Sequence, residues 1–273
     1  MTFLFVVFSA LSLGIVAQIV PSAPKAAGKA DEKKQPRVSG KNSKDGTKPV
    51  TAEQVVESSL LVYAFPGGRE KLNQIRKTAF ERGKVSTTNA EGKVERATYQ
   101  RWTLRGATRD KEKIRLDQEF PDARYALIYT DDKIIGVYNN AIFTPRDDAA
   151  RAFQNQITFG IESLLRYKEF ESKIEYAGRE KQLGVEYYLI DLTDKQQRKA
   201  RFYVSVKTFR VMAIEFEDAG VKYRRRFYNY NYAQGTLVPY RSVLYANDKI
   251  VEETEVGTVT FGQKIDETMF SIG

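Results

Sequence analysis

The sequence predicts an α+β fold: a strongly curved antiparallel sheet of about eleven strands, an open, half-closed β-barrel, with helices packed on its concave side. Three observations point there. From residue 79 onward, short alternating runs follow one another with turn residues between them. Several of these runs are apolar on both faces, which suits a sheet that wraps something. One amphipathic helix interrupts the series near its middle and must dock on the sheet.

Composition narrows the chemistry. The 273 residues contain no cysteine and no histidine, so disulfides, thiolate nucleophiles, Cys/His zinc sites and Ser-His-Asp arrangements are excluded. Residues 2–16 are an almost unbroken apolar run ending in Val16-Ala17-Gln18. Residues 1–17 therefore read as an export signal cleaved after Ala17, with a retained anchor as the alternative. Residues 18–49 are rich in Ala, Gly, Lys, Ser and Pro, a composition too poor in large apolar side chains to fold, and form a disordered basic linker. They carry eight basic residues against three acidic ones, so five of the net nine positive charges reside here. Contact with an anionic membrane surface is one reading of this linker; a soluble spacer is the other. The remaining domain, 50–273, is only weakly basic, and no nucleic-acid partner is expected.

Thr51-Ala-Glu-Gln54 is a capping box that opens a helix with Val55, Val56, Leu60 and Tyr63 on one stripe. Pro66-Gly67-Gly68 stops it, and a short helix over 69–75 leads into the sheet. Strands are expected at 79–88, 94–104, 113–119, 124–130 and 133–138. A helix over 147–166 follows, opened by Thr144-Pro145 and striped with Phe153, Ile157, Ile161, Leu164 and Leu165. Further strands are expected at 170–176, 185–193, 200–207, 211–217 and 221–232, with turns at Gly178, 193–199, Thr208-Phe209 and Ala219-Gly220. In the last of these strands, alternation places Tyr228, Tyr230 and Tyr232 on one face. Strands over 237–246 and 250–261 complete a meander, and a short terminal turn lays Met269 and Phe270 on an apolar surface.

The segment 230–241 reads Tyr-x-x-x-x-Gly-x-x-Val-Pro-Tyr-Arg, and the chain closes on Ile-Asp-x-x-x-Phe at 265–270. With the preceding aromatic strand, these motifs resemble the C-terminal half of the LolA/LolB-like family, the bacterial carriers and receptors for outer-membrane lipoproteins. The helix, Gly67-Gly68 and a helical turn ending in Leu72-x-x-Ile75 resemble the opening of many of its members. The resemblance implies an exported, periplasmic, non-enzymatic protein with no cofactor and no metal, holding a lipid or acylated lipoprotein cargo in an apolar cavity. It also implies that Arg101, on an early strand, contacts a helical lid.

Candidate cavity-lining residues on the strands are Trp102, Leu104, Leu116, Tyr125, Leu127 and Tyr129. On the helix they are Phe153, Ile157 and Leu164. The alternative function is an envelope sensor or adaptor of the same fold that binds a partner protein, its interior filled by its own side chains. A cell-wall hydrolase is a third reading: it would need two opposed carboxylates from among Asp191, Glu215, Glu217, Glu252 and Glu253. Arg224-Arg225-Arg226 lies on a strand, so Arg225 points away from its two neighbours and the run is not one phosphate-binding cluster.

Overall fold

The structure, a computed structural model, describes residues 50–88 and 91–271. The expectations for 1–17 and 18–49 lie outside these residues. Helix α1, Ala52–Tyr63, starts at the capping box: the Gln54 amide donates to Thr51 Oγ1 at 3.2 Å and the Thr51 amide to Gln54 Oε1 at 3.0 Å. Helix α2 spans Gly68–Ile75. Strands β1 (Thr78–Thr88), β2 (Val94–Leu104), β3 (Lys113–Glu119), β4 (Arg124–Thr130), β5 (Lys133–Tyr138) and β6 (Ala141–Phe143) form one antiparallel meander, with a 3-10 turn at Arg109–Lys111. Helices α3 (Asp147–Thr158) and α4 (Ile161–Leu165) lead to a second meander: β7 (Lys173–Gln182), β8 (Val185–Thr193), β9 (Lys199–Ser205), β10 (Val211–Asp218), β11 (Val221–Ala233), β12 (Thr236–Ala246) and β13 (Lys249–Phe261). A 3-10 turn at Glu267–Phe270 follows.

The two meanders form a single sheet of 13 strands, joined where β1 pairs with β13, with β6 at one edge and β7 at the other. The sheet is not closed. Six of its two-residue turns, Asp131-Asp132, Asn139-Asn140, Leu183-Gly184, Ala219-Gly220, Gln234-Gly235 and Asn247-Asp248, have both residues at positive φ, the geometry of hairpin turns whose twist matches the strands.

Several expectations are corrected. The strand count rises because β6 is only three residues long and follows β5 after Asn139-Asn140, too short to show a period. The helix expected over 147–166 breaks at Phe159-Gly160: Gly160 is extended (ψ 170°), and α4 begins anew after it. Gly178 is not a turn but a bulge inside β7, where the register shifts between Tyr176 and Gly178 at a φ of 113°. The hairpin turns instead at Leu183-Gly184.

The helices cover one face of the sheet, here called inner, and they do so in two blocks. Phe153 and Ile157 of α3 pack on Val85, Tyr99, Ile114, Leu116, Leu127 and Tyr129 of the first meander. Val55, Val56, Leu60 and Tyr63 of α1, with Leu164 and Leu165 of α4, pack on Ile190, Phe202, Val204 and Ile214 of the second. The Tyr63 hydroxyl, whose pKa burial pushes up to about 12, lies 3.1 Å from the Tyr230 hydroxyl and accepts from the Val211 amide at 3.3 Å.

The tyrosines 228, 230 and 232 do not share a face. Asn229 sits at a φ of 54°, a left-handed residue that resets the alternation. Tyr228 lies under Arg241 on the outer face, while Tyr230 meets Tyr63 on the inner one. Gly83 marks another irregularity, a shift between β1 and β13 at which a Cβ would lie 2.1 Å from the Glu255 carbonyl oxygen.

The two-faced apolar character of β4 has a local cause. Leu127 and Tyr129 face α3, while Ala126 and Ile128 face outward, where the terminal 3-10 turn lies against β3 and β4. Arg115 donates to the Met269 carbonyl at 3.0 Å and Lys113 pairs with Glu267 at 2.7 Å, so the chain end is tied down and Phe270 is 2% exposed. Replacing Phe270 with Ala should therefore destabilise the domain by about 3–5 kcal/mol, read from the urea midpoint.

Candidate functional site

Between the two helical blocks, over the seam of β1, β12 and β13, the inner face is left partly uncovered. A cleft of about 290 Å³ lies there. Its floor is apolar: Ala79 and Val259 from the seam strands, Val238 from β12, and Phe261 at the end of β13. Ile157 and Ile161 come from the helices above, Ile114 and Leu116 from β3, and Phe227 from β11.

One end of the cleft is closed by ionic contacts to the α3–α4 corner. Glu162 receives the Arg76 guanidinium on Oε1 and that of Arg105 on Oε2. Both arginines are built into the wall, their side chains 10% and 8% exposed, whereas that of Glu162 is 36% exposed. Arg76 also donates to Thr236 Oγ1 at 2.9 Å and to the Leu237 carbonyl at 2.6 Å. Arg105 reaches Asn73 Oδ1 at 3.4 Å, and Asn73 in turn donates to Glu169 at 2.9 Å. Two more arginines hold the same corner. Arg69 donates to the Leu165 carbonyl at 2.9 Å, and Arg109 donates to the Ile157 carbonyl at 2.7 Å and to Ser163 Oγ at 3.2 Å.

Behind them, Arg166 and Glu112 form a pair whose side chains are almost wholly buried. Phe170 lies beneath the guanidinium groups of both Arg109 and Arg166, at 4.2 and 4.6 Å. Burial raises the Glu112 carboxyl pKa against the pull of Arg166 and Arg109. It lowers Arg105 to about 10, against the support of Glu162. Burial also acts to raise Glu162, but the Arg105 and Arg76 charges overcome it and hold that carboxyl at about 2.

The cleft's other polar groups bind the helix α3 side. Arg225 pairs with Glu252 at 2.9 Å, and Gln156 of α3 donates to the same carboxylate at 3.2 Å. The Tyr99 hydroxyl donates to Glu81 at 2.7 Å. Arg101 lines the cleft on the same strand face as Arg105, without an ion-pair partner among the described residues. The contacts to the helical corner come from Arg76 and Arg105 rather than from Arg101.

The expected cavity residues are dispersed. Leu116 and Ile157 line the cleft. Leu127, Tyr129 and Phe153 lie in the packed layer between α3 and the sheet, where Tyr125 stacks on Phe120 at 5.8 Å. Leu164 is buried beneath α1. Trp102 packs against Phe80 at 5.3 Å, on the face opposite Arg101 and Thr103, and Leu104 shares that outer face by alternation.

Of the five carboxylates considered for hydrolysis, four are engaged elsewhere and Glu217 is exposed on the strand. Asp191 is bidentate to Arg201 at 2.7 Å on each oxygen, Glu215 pairs with Arg224, and Glu253 with Arg241. Glu252 is held by Arg225. Arg225 indeed points away from Arg224 and Arg226, the former on Glu215 and the latter over Tyr245. Among the described residues no cluster of carboxylates is placed to hold a metal ion.

The residues that close the cleft escaped sequence reasoning. Glu162 was visible as the only acid between 149 and 168, set beside Ile161, Leu164 and Leu165. Arg76 and Arg105 carry no such mark.

No protein-family model matches the chain, and no curated protein matches it. Its fold is similar to that of solved structures. A DUF1329 family protein from Desulfovibrio piger superposes with a TM-score of 0.59 at 10% identity, covering 81% of this chain and 97% of the other. The LolA superfamily protein NE2245 from Nitrosomonas europaea gives 0.56 at 14%, covering 82% and 98%. A domain from Vibrio parahaemolyticus named for outer membrane lipoprotein sorting gives 0.52 at 15%, covering 80% and 97%. At these identities the shared property is the fold.

Replacing Glu162 with Gln leaves two buried guanidinium groups without their anion. The expected loss is about 2–3 kcal/mol, below the 3–5 of a fully buried pair because this carboxylate is partly solvated. The folded value of about 2 lies below the usual 4.5, so the stabilisation is fully present above about pH 4.5 and is lost as pH falls through 2. Urea midpoints measured from pH 5 down to pH 2 should fall less steeply in the Gln variant than in the wild type.

Proposed function

We propose that this chain is an exported, non-catalytic binding protein of the bacterial envelope that engages a partner protein. The observation that carries this reading is the filling of the inner face. Helices α1, α3 and α4 cover much of it, and the cleft between their two blocks, about 290 Å³, is at the small end of ligand sites and is cross-tied by ion pairs.

An exposed apolar surface at the end of α1 supports a protein partner. Leu61 is 49%, Phe65 73% and Tyr232 53% exposed, and the Tyr232 hydroxyl donates to the Val62 carbonyl at 3.2 Å, which sets that ring beside the helix end. Grouped apolar side chains of this kind commonly mark interaction sites. The apolar leader expected at 1–17 supports export to the periplasm of a diderm bacterium.

A second reading is favoured by the apolar floor at Ala79, Val238, Val259 and Phe261. The cleft would then hold a lipid or acyl chain, the class of cargo suggested by the lipoprotein-sorting name of one structural relative. The two readings separate on one measurement. The full chain, exported to a bacterial periplasm and purified without detergent, should give by native mass spectrometry the mass of polypeptide alone, and solvent extraction should release no lipid. A co-purifying mass of lipid size would overturn the partner-protein reading. A photo-crosslinker at Phe65 should trap one envelope protein in cells, and exchanging Tyr232 for Asp in that chain should abolish the adduct while lowering stability by no more than the one exposed hydrogen bond to Val62, about 1 kcal/mol.

A further inference from the structure

The ionic end of the cleft has the construction of an anion site that already holds an anion. Its two donors, Arg76 and Arg105, are buried, and each has a second partner that fixes it in the wall: Thr236 and Leu237 for one, Asn73 for the other. Their anion, Glu162, is the more exposed member, carried on a helix of five residues just after the extended Gly160. Rigid donors and a partly exposed carboxylate whose own side chain is free to turn to solvent are what an exchangeable ligand would look like.

Charge points the same way. The cluster contains four guanidinium groups, from Arg76, Arg105, Arg109 and Arg166, against the two carboxylates of Glu112 and Glu162. Glu169 faces the cluster through Asn73, but its carboxylate also takes Arg69 at 3.0 Å. Arg69 is also taken by Glu57 at 2.9 Å, so with these three included five guanidinium groups face four carboxylates, and one positive charge is in excess around Glu162 even with its carboxylate in place. Arg101 adds a further unpaired cation on the cleft wall, with Glu81 across the strand pair engaged by Tyr99. The apolar floor begins beside these groups, since Phe261 lies under the Arg76 guanidinium at 5.5 Å.

We infer that Arg76 and Arg105 form the head-group site for a single-chain anionic amphiphile, carboxylate- or phosphate-headed, and that Glu162 is an internal stand-in for that head. The incoming anion replaces the Glu162 carboxylate on the two guanidinium groups, the Glu162 side chain turns to solvent while Leu164 and Leu165 keep α4 in the core, and the acyl chain lies on Ala79, Val238, Val259 and Phe261. No covalent step is involved. The inference rests on the second of the two readings above, that the cleft holds a lipid or acyl chain, and not on the partner-protein reading.

The test is displacement of Nile red from the full chain by decanoate, decyl phosphate, decanol and inorganic phosphate, in the wild type, Glu162→Gln and Arg105→Gln. In the wild type, at least one of the two anionic amphiphiles should bind about tenfold or more tightly than decanol, as charge-assisted hydrogen bonds to a buried guanidinium require. Which of the two wins assigns the head. In Glu162→Gln the affinity for that anion should rise about tenfold while decanol is unchanged, and in Arg105→Gln the preference for the anion should vanish.

Equal affinity of the wild type for decanol and for both anions would overturn the head-group site while leaving the lipid reading intact. Failure of all three chain-bearing probes to bind would remove the lipid reading itself. Inorganic phosphate binding as tightly as decyl phosphate would assign a free anion and overturn the amphiphile. The wild-type ratio decides the matter by itself should either variant fail to fold, which circular dichroism would report.

Discussion

The grip of arginines on the α3–α4 corner is the constraint on which the rest of this structure depends. Four side chains converge there: Arg76 and Arg105 on Glu162, Arg69 on the Leu165 carbonyl, and Arg109 on Ile157 and Ser163. A helix of five residues has little stability of its own, so α4 exists where it does because these contacts and the burial of Leu164 and Leu165 hold it. It in turn bridges the packed layer under α3 and the one under α1. Release of this corner would open the inner face along the seam, which is where the cleft already lies.

The seam is the second organising feature. Two meanders, each locally connected, meet only through β1 and β13, and every other neighbouring pair of strands is also consecutive in the chain. The helices follow the same division, α3 over the first meander and α1 with α4 over the second. A gap between two separately packed layers is the natural place for a cleft. Its floor is apolar where Ala79, Val238, Val259 and Phe261 lie side by side on the seam strands, and its ends are polar because the arginines and carboxylates of both halves meet over it.

Irregularities in the strands decide which side chains reach that gap. The left-handed Asn229 turns Tyr230 inward to Tyr63 while Tyr228 stays outside with Arg241. Plain alternation on β2 sends Arg101 and Arg105 into the cleft and Trp102 and Leu104 to the opposite face. A single residue out of step exchanges the faces of everything after it, so the faces could be read only where the strand was regular.

By itself, the sequence determined the local elements of this protein. The capping box at Thr51 and Gln54, the bounds of β2 through β5, the turns at Asp131-Asp132 and Asn247-Asp248, and the antiparallel α+β class all follow from periods and turn residues within a few positions of each other. So does the separate orientation of Arg225. Only the tertiary structure decided how the two meanders join, which face Trp102 takes, that the chain end covers β4, and that Arg76 and Arg105 close on Glu162. Those last partners lie 86 and 57 positions apart in the chain. Ion pairs at such separations leave no period in the sequence, because charge acts through space and the distances are set by the packing of the whole sheet.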